Sequence, residues 1–191
     1  MGIGVLWLSV TTSLLITKLD VLGTLPISYL GVFDSSKYIF NIGLILSSIL
    51  LLLFSIYLYR KLNLTKLFLV IVATGQIAQV IVALTPFSSQ SIARPVHVIA
   101  GFVIAFSLPL SMLAFLRSKV PNNLHKATRE LFFVELILFI LGIGWFVIAS
   151  RAGALAEIVT AVTFDTWILY ISLKLNDYSV SFVSSRSIKI L

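Results

Sequence analysis

YIFNIGLILSSILLLLFSIYLY, residues 38–59, is the stretch whose reading decides the fold. It contains no Asp, Glu, Lys, Arg, His or Pro; Lys37 precedes it, and Arg60 and Lys61 end it. As an α-helix it is about 33 Å long at 1.5 Å per residue, enough to cross a hydrocarbon layer about 30 Å thick. In water, such a run would need cover on every side. The chain cannot supply that cover: of its 191 residues, 59% are hydrophobic and only 11% charged, against roughly 25% charged in soluble domains. Mean hydropathy is +1.10. Lipid is the solvent that fits this composition.

Working outward, five more apolar runs lie between short polar breaks, at about residues 3–19, 67–85, 96–116, 131–149 and 154–173. The first lacks a preceding Lys or Arg, and no Ala occurs before Ala73, so it reads as a retained span rather than a cleaved signal. Lys18 and Asp20 make it the shortest. A single helix over 131–173 would be about 65 Å long, twice the membrane thickness, so the chain must reverse at Ser150–Gly153. The sequence therefore predicts an all-α polytopic membrane protein: one domain, residues 1–174, forming a bundle of six transmembrane helices, and a short tail, 175–191. In the tail Tyr178, Val180 and Phe182 alternate with polar residues, a faint strand pattern in what reads mainly as a frayed end.

The net charge of +7 does not point to nucleic acid, because the basic residues sit in loops. Ten of the 14 Lys and Arg (Arg60, Lys61, Lys66, Arg117, Lys119, Lys126, Arg129, Lys174, Arg186, Lys189) fall on one side of the six-span topology. The other four, Lys18, Lys37, Arg94 and Arg151, fall on the opposite side. The positive-inside rule then places both termini in the cytoplasm. Tyr38, Tyr57, Tyr59 and Tyr170 lie at span ends, as interfacial aromatics do. The sequon Asn63-Leu64-Thr65 falls in a loop on the inner side and reads as chance.

Ionisable groups inside spans are costly and are functional candidates by default. Asp165 lies mid-span, Glu157 near the outer end of the same helix, and Glu135 near the cytoplasmic end of span five. Eight residues separate Glu157 from Asp165, about 80° of rotation and about 12 Å of rise, too far to share a proton. With Thr160 between them they could form a polar track. The competing reading has Asp165 bonded to a Gln, Ser or Thr of a neighbouring helix, and Glu135 matched by Arg129 and Arg117 at a similar level. Gln76 and Gln79 share a face and suit interhelical hydrogen bonds or a cavity lining. On the outer side Asp34, Lys37, Arg94, His97, Arg151 and Glu157 form the densest polar cluster, suited to a lipid headgroup or a small anion. Pro109 should kink span four, with Ser107 and Ser111 near the freed groups. Gly142, Gly144 and the Ala149/Gly153 pair allow close helix approach.

Several chemistries are excluded. There is no cysteine, hence no disulfide or thiolate site. With only two histidines a three-His zinc site cannot be built, and with His97 and His125 on opposite sides a bis-His haem has no support. No P-loop, H-E-x-x-H or G-x-S-x-G is present, and no nucleophile–base pair is recognisable, which places an enzyme last. The sequence calls for no cofactor and no metal. The expected partners are membrane lipids and other membrane subunits, without nucleic acid. Three roles follow: lipid handling at the outer leaflet, an accessory structural subunit, and a small proton-coupled transporter using Asp165 and Glu157.

Ile27-Ser28-Tyr29-Leu30-Gly31, then Phe40-Asn41-Ile42-Gly43-Leu44, and His97 opening a span as His-Val-Ile-Ala-Gly-Phe carry a resemblance. They resemble the six-span prokaryotic membrane family known as domain of unknown function 998, distant kin of the DRAM/Frag/Sfk proteins. The likeness is clearest over residues 25–117. One departure is Tyr29, where the family often carries an acid. The resemblance implies six helices, with the Ile27–Asn41 segment and His97 on one side. It implies no activity, and the eukaryotic kin connect it only loosely to lipid remodelling and membrane trafficking.

Overall fold

Local turn and cap residues, rather than hydropathy, set the end of the second helix and the starts of the third and fifth. The structure, a computed structural model, describes residues 1–18, 25–85, 93–149 and 154–187. Among these are six α-helices: α1 (Gly2–Thr17), α2 (Lys37–Lys61), α3 (Lys66–Leu84), α4 (Ala93–Leu116), α5 (Asn122–Ala149) and α6 (Ala154–Ser187). A 3-10 turn (Ile27–Gly31) lies between α1 and α2. Asn63 follows α2 with φ 50°, a left-handed stop that asparagine tolerates well. Thr65 then caps α3, its hydroxyl accepting from Phe68 N at 3.4 Å. The Pro121 carbonyl accepts from His125 N at 2.9 Å and opens α5. That helix therefore begins well before the expected residue 131. Helix α6 runs through Tyr178, Val180 and Phe182 to Ser187, where the alternation suggests a strand; residues 188–191 of the expected tail lie outside the described residues.

Polarity is inverted relative to a water-soluble bundle. On α2, Ile42, Leu46, Ile49, Leu53 and Tyr57 form one exposed stripe, while Ser47, Ser48 and Ser55 are buried. Each buried hydroxyl returns to its own helix: Ser47 and Ser48 donate to Leu44 O at 2.9 and 2.7 Å, and Ser55 to Leu51 O at 2.8 Å. Small polar residues inside and aliphatic residues outside are what lipid selects, because hydrocarbon solvates leucine while helix contacts improve with small side chains.

Among the described residues, four helices are long and apolar enough to cross a membrane: α2, α3, α4 and the Glu157–Leu175 part of α6. Helix α1 has 16 residues, about 24 Å. Its Gly2 backs onto Leu50 and Leu51, halfway along α2, so α1 lines only the half of α2 nearer the 3-10 turn. That half is called the turn end below; the opposite end, with Arg60, Lys61 and Arg117, is the basic end. Successive helices are neighbours from α1 to α6, and the 3-10 turn rests on α1, α2 and α6. Two cores result. Val10, Leu30, Phe40, Leu44, Val82 and Ala100 fill the turn end. Leu58, Phe68, Met112, Phe115, Trp167 and Ile171 fill the basic end.

The close helix approaches among the described residues lie at Gly43, whose backbone packs on Ser9 of α1, and at Gly75, which packs on Ser107 of α4. The expected Gly153 contact lies outside the described residues, as do the surroundings of Gly142, Gly144 and Ala149. Pro109 lies inside α4 and cannot donate to Ala105 O. Ser107 and Ser111 do not replace that bond; they donate to Ile104 O and Leu108 O, each at 2.7 Å.

Candidate functional site

Most polar groups singled out in the sequence are placed by the fold as fasteners at the turn end. Glu157, at the start of the apolar part of α6, accepts from Ile27 N at 2.9 Å and so caps the 3-10 turn. Within that turn region Ser36 Oγ donates to Leu30 O at 2.7 Å, and Asn41 Nδ2 to Gly31 O at 3.3 Å. Gly31 must stay a glycine for this contact, because a Cβ there would lie 2.5 Å from Asn41 Oδ1. Two turns along α6 from Glu157, buried Asp165 accepts from Trp7 Nε1 of α1 at 2.7 Å. Two residues further, Trp167 Nε1 donates to Thr128 Oγ1 of α5 at 2.9 Å. Helix α6 thus ties α1, the 3-10 turn and α5 together. Glu157 and Asp165 serve separate partners, and the side chain of Thr160 lies outside the described residues.

His97 is buried, and its Nδ1 lies 2.5 Å from Thr85 O at the end of α3. A carbonyl only accepts, so Nδ1 carries the proton. The imidazole therefore pins the start of α4 to the end of α3. Asp34 is exposed and pairs with Lys37 at 2.6 Å; that hydrogen bond and charge hold its carboxyl below the usual range. Arg94 is exposed in the first turn of α4. Arg151 and Pro86 lie outside the described residues. Of the expected outer cluster, Asp34, His97 and Glu157 each engage a different element.

Gln79 behaves as expected: its Nε2 donates to Ser47 Oγ at 2.9 Å and to Leu44 O at 3.3 Å on α2. Gln76 is buried, and its Oε1 lacks a partner. Glu135 is fully buried and neither carboxyl oxygen has a hydrogen-bond partner. The expected match with Arg129 and Arg117 is not formed. Because α5 starts at Asn122, Glu135 lies about 20 Å from its start, well inside the helix rather than near its end.

One feature left no direct mark on the sequence. Between α3 and α4 runs an open groove of about 380 Å³, lined by Val70, Ile71, Thr74, Ile99, Phe102, Val103, Phe106, Ser107 and Leu110. Its two hydroxyls are already spent, Thr74 Oγ1 on Val70 O at 2.9 Å and Ser107 Oγ on Ile104 O. The groove is therefore apolar in practice. The signal that could have revealed it is the small pair Gly75 and Ser107, which lets the two helices close up between larger neighbours. Trp7 was equally findable, as a lone N–H donor in an apolar helix that needs an acceptor.

An all-α chain with inverted polarity and four helices of membrane-crossing length defines a multi-pass membrane protein. Residues 2–174 match the model of the family described as "Protein of unknown function (DUF998)", and the chain belongs to that family. Kinship with the DRAM/Frag/Sfk proteins stays an implication of the resemblance. No curated protein and no solved structure matches the chain. Residues that carried the resemblance have structural explanations here: Ile27 N is held by Glu157, Gly31 by Asn41, Gly43 packs on Ser9, and His97 holds Thr85.

Proposed function

We propose that this protein binds membrane lipid, with an acyl chain lying in the groove between α3 and α4. The groove is the observation that carries the reading. Its size falls within the ~300–1,000 Å³ range of small-molecule sites. From Ile99 to Leu110 it follows α4 for about 16 Å, close to half of a ~30 Å hydrocarbon core, the depth of one leaflet. It offers dispersion contacts and no free hydrogen-bonding group, which suits a hydrocarbon chain and rejects a polar ligand.

Arg94, in the first turn of α4, supplies a cation at the turn end, about 8 Å along the axis from Ile99, the α4 groove residue nearest that end. Ten of 14 basic residues lie on the other side of the six-span topology, so the turn end faces outward under the positive-inside rule. The reading is therefore outer-leaflet lipid binding, with both termini cytoplasmic. His97 moves from ligand to fastener, because its imidazole is committed to Thr85.

Native mass spectrometry of the protein extracted in mild detergent tests this. Thr74 is exposed on the groove wall, so Thr74→Trp fills the groove without entering a core. Wild type and Thr74→Ala should retain lipid, and Thr74→Trp should lose most of it. Equal retention in all three overturns the reading. So does release without lipid but with other subunits in fixed ratio, which is the result an accessory subunit would give.

A further inference from the structure

Glu135 is the one buried acidic residue among the described residues that no hydrogen bond or ion pair engages. Asp34 pairs with Lys37, Glu157 caps the 3-10 turn and Asp165 holds Trp7. Glu135 is 0% exposed, with both oxygens unpartnered. Its place on α5 is fixed by its own stripe. Thr128, two turns earlier, receives Trp167 Nε1, and Leu131 and Phe132 pack on the basic-end core. Glu135 is one turn beyond Leu131 on that inward face.

A carboxylate cannot stay ionised there without a partner, since desolvation is uncompensated by any donor or cation. The described residues around it supply none. On α4, no residue from Val98 to Leu116 is ionisable. On α6, Asp165 and Glu157 are acids bound elsewhere. Tyr170 and Lys174 lie beyond Trp167 toward the basic end, and Lys174 is about 20 Å from Glu135 along the axis. On α5 itself, His125, Lys126, Arg129 and Glu130 all precede it, and the described residues contain no ion pair to it. A metal ion would need several ligands, and the described residues contain no cluster of three or more His, Asp or Glu. A proton needs one oxygen.

We infer that Glu135 is an intramembrane proton-binding site whose deprotonation loosens the packing of α5 against α4 and α6. The inference goes beyond lipid binding and does not rest on it. The proton adds to one carboxyl oxygen and leaves to water. Loss of the proton puts an unpaired charge on the inward face of α5, which is relieved only by admitting water or separating the helices. Because that unpaired charge is carried only by the packed helices, stability should fall as pH rises through proton release.

The test uses the full chain in liposomes treated with dicyclohexylcarbodiimide, an apolar reagent that modifies protonated carboxyls, followed by peptide mapping at about pH 6 and about pH 9. Glu135 should be modified at the lower pH. Its labelling should fall about tenfold per pH unit once deprotonation dominates. No label at the lower pH, or equal label at both, overturns the inference. In parallel, Glu135→Gln, which mimics the protonated group, should flatten the pH dependence of the melting temperature that wild type shows over this interval. If the two profiles run parallel, the inference fails.

Discussion

Replacing Gly43 by alanine puts a methyl group where Ser9 of α1 already sits: the added Cβ would overlap both Cβ and Oγ of that serine. Ser9 Cβ is bonded directly to the α1 backbone and cannot swing aside, so α1 and α2 must separate. Overpacking of this kind costs about 1–3 kcal/mol. Alanine regains about 0.8–1 kcal/mol of helix propensity. The net loss should therefore be about 0–2 kcal/mol, too small a window for the single variant to decide anything. The double-mutant cycle decides it. Ser9→Gly removes the obstructing atoms together with the bond from Ser9 Oγ to Leu6 O, 2.8 Å. In the Ser9→Gly/Gly43→Ala pair the small residue has only changed helix. The coupling should recover about 1–3 kcal/mol. Gly4→Ala is the control: nothing lies within 4 Å of its added Cβ, so it should be neutral or stabilising by up to about 1 kcal/mol. Unfolding in mixed detergent micelles gives all four values. Additivity within about 0.5 kcal/mol would refute the α1–α2 packing.

Other outcomes follow from the fasteners. Trp7→Phe leaves buried Asp165 without its donor and should cost about 1–3 kcal/mol, whereas Asp165→Asn keeps an acceptor for Trp7 and should cost less; equal losses by detergent unfolding would contradict the bond. His97→Ala should cost about 1–2 kcal/mol and raise amide exchange at the α3–α4 junction, while exchange at the α5–α6 pair stays unchanged. The Asp34–Lys37 pair contributes above the ordinary carboxylate range and is lost as pH falls through the lowered value of Asp34. Because both residues are open to solvent, Lys37→Met should leave the melting temperature at neutral pH and its acid dependence nearly unchanged.

The membrane class was legible because it rests on apolar length and the position of charge, which the sequence shows directly. Gln79 was legible for a similar reason: an amide in an apolar helix must find an acceptor across the interface, and it found Ser47 and Leu44. Helix ends were not legible from the same signal. Hydropathy marks where a helix leaves lipid, whereas Pro121 and Asn63 mark where helices start and stop; α5 and α6 run past their apolar segments. That error moved Glu135 from a helix end matched by arginines to an unpaired interior position. The partner of Asp165 was expected among Gln, Ser and Thr. It is Trp7, whose indole N–H donates from α1. The groove was invisible because it depends on how Gly75 and Ser107 let α3 and α4 approach, a pairing between two helices that no single apolar run reveals.

The central claim, an acyl chain in the α3–α4 groove, is tested most directly by photo-crosslinking the protein in liposomes with a phospholipid carrying a photoactivatable group on its acyl chain. Adducts should concentrate on Ile99, Phe102, Phe106 and Leu110, and fall in Thr74→Trp. Adducts spread evenly over the exposed stripe of α2, from Ile42 to Leu53, and the groove alike would contradict it.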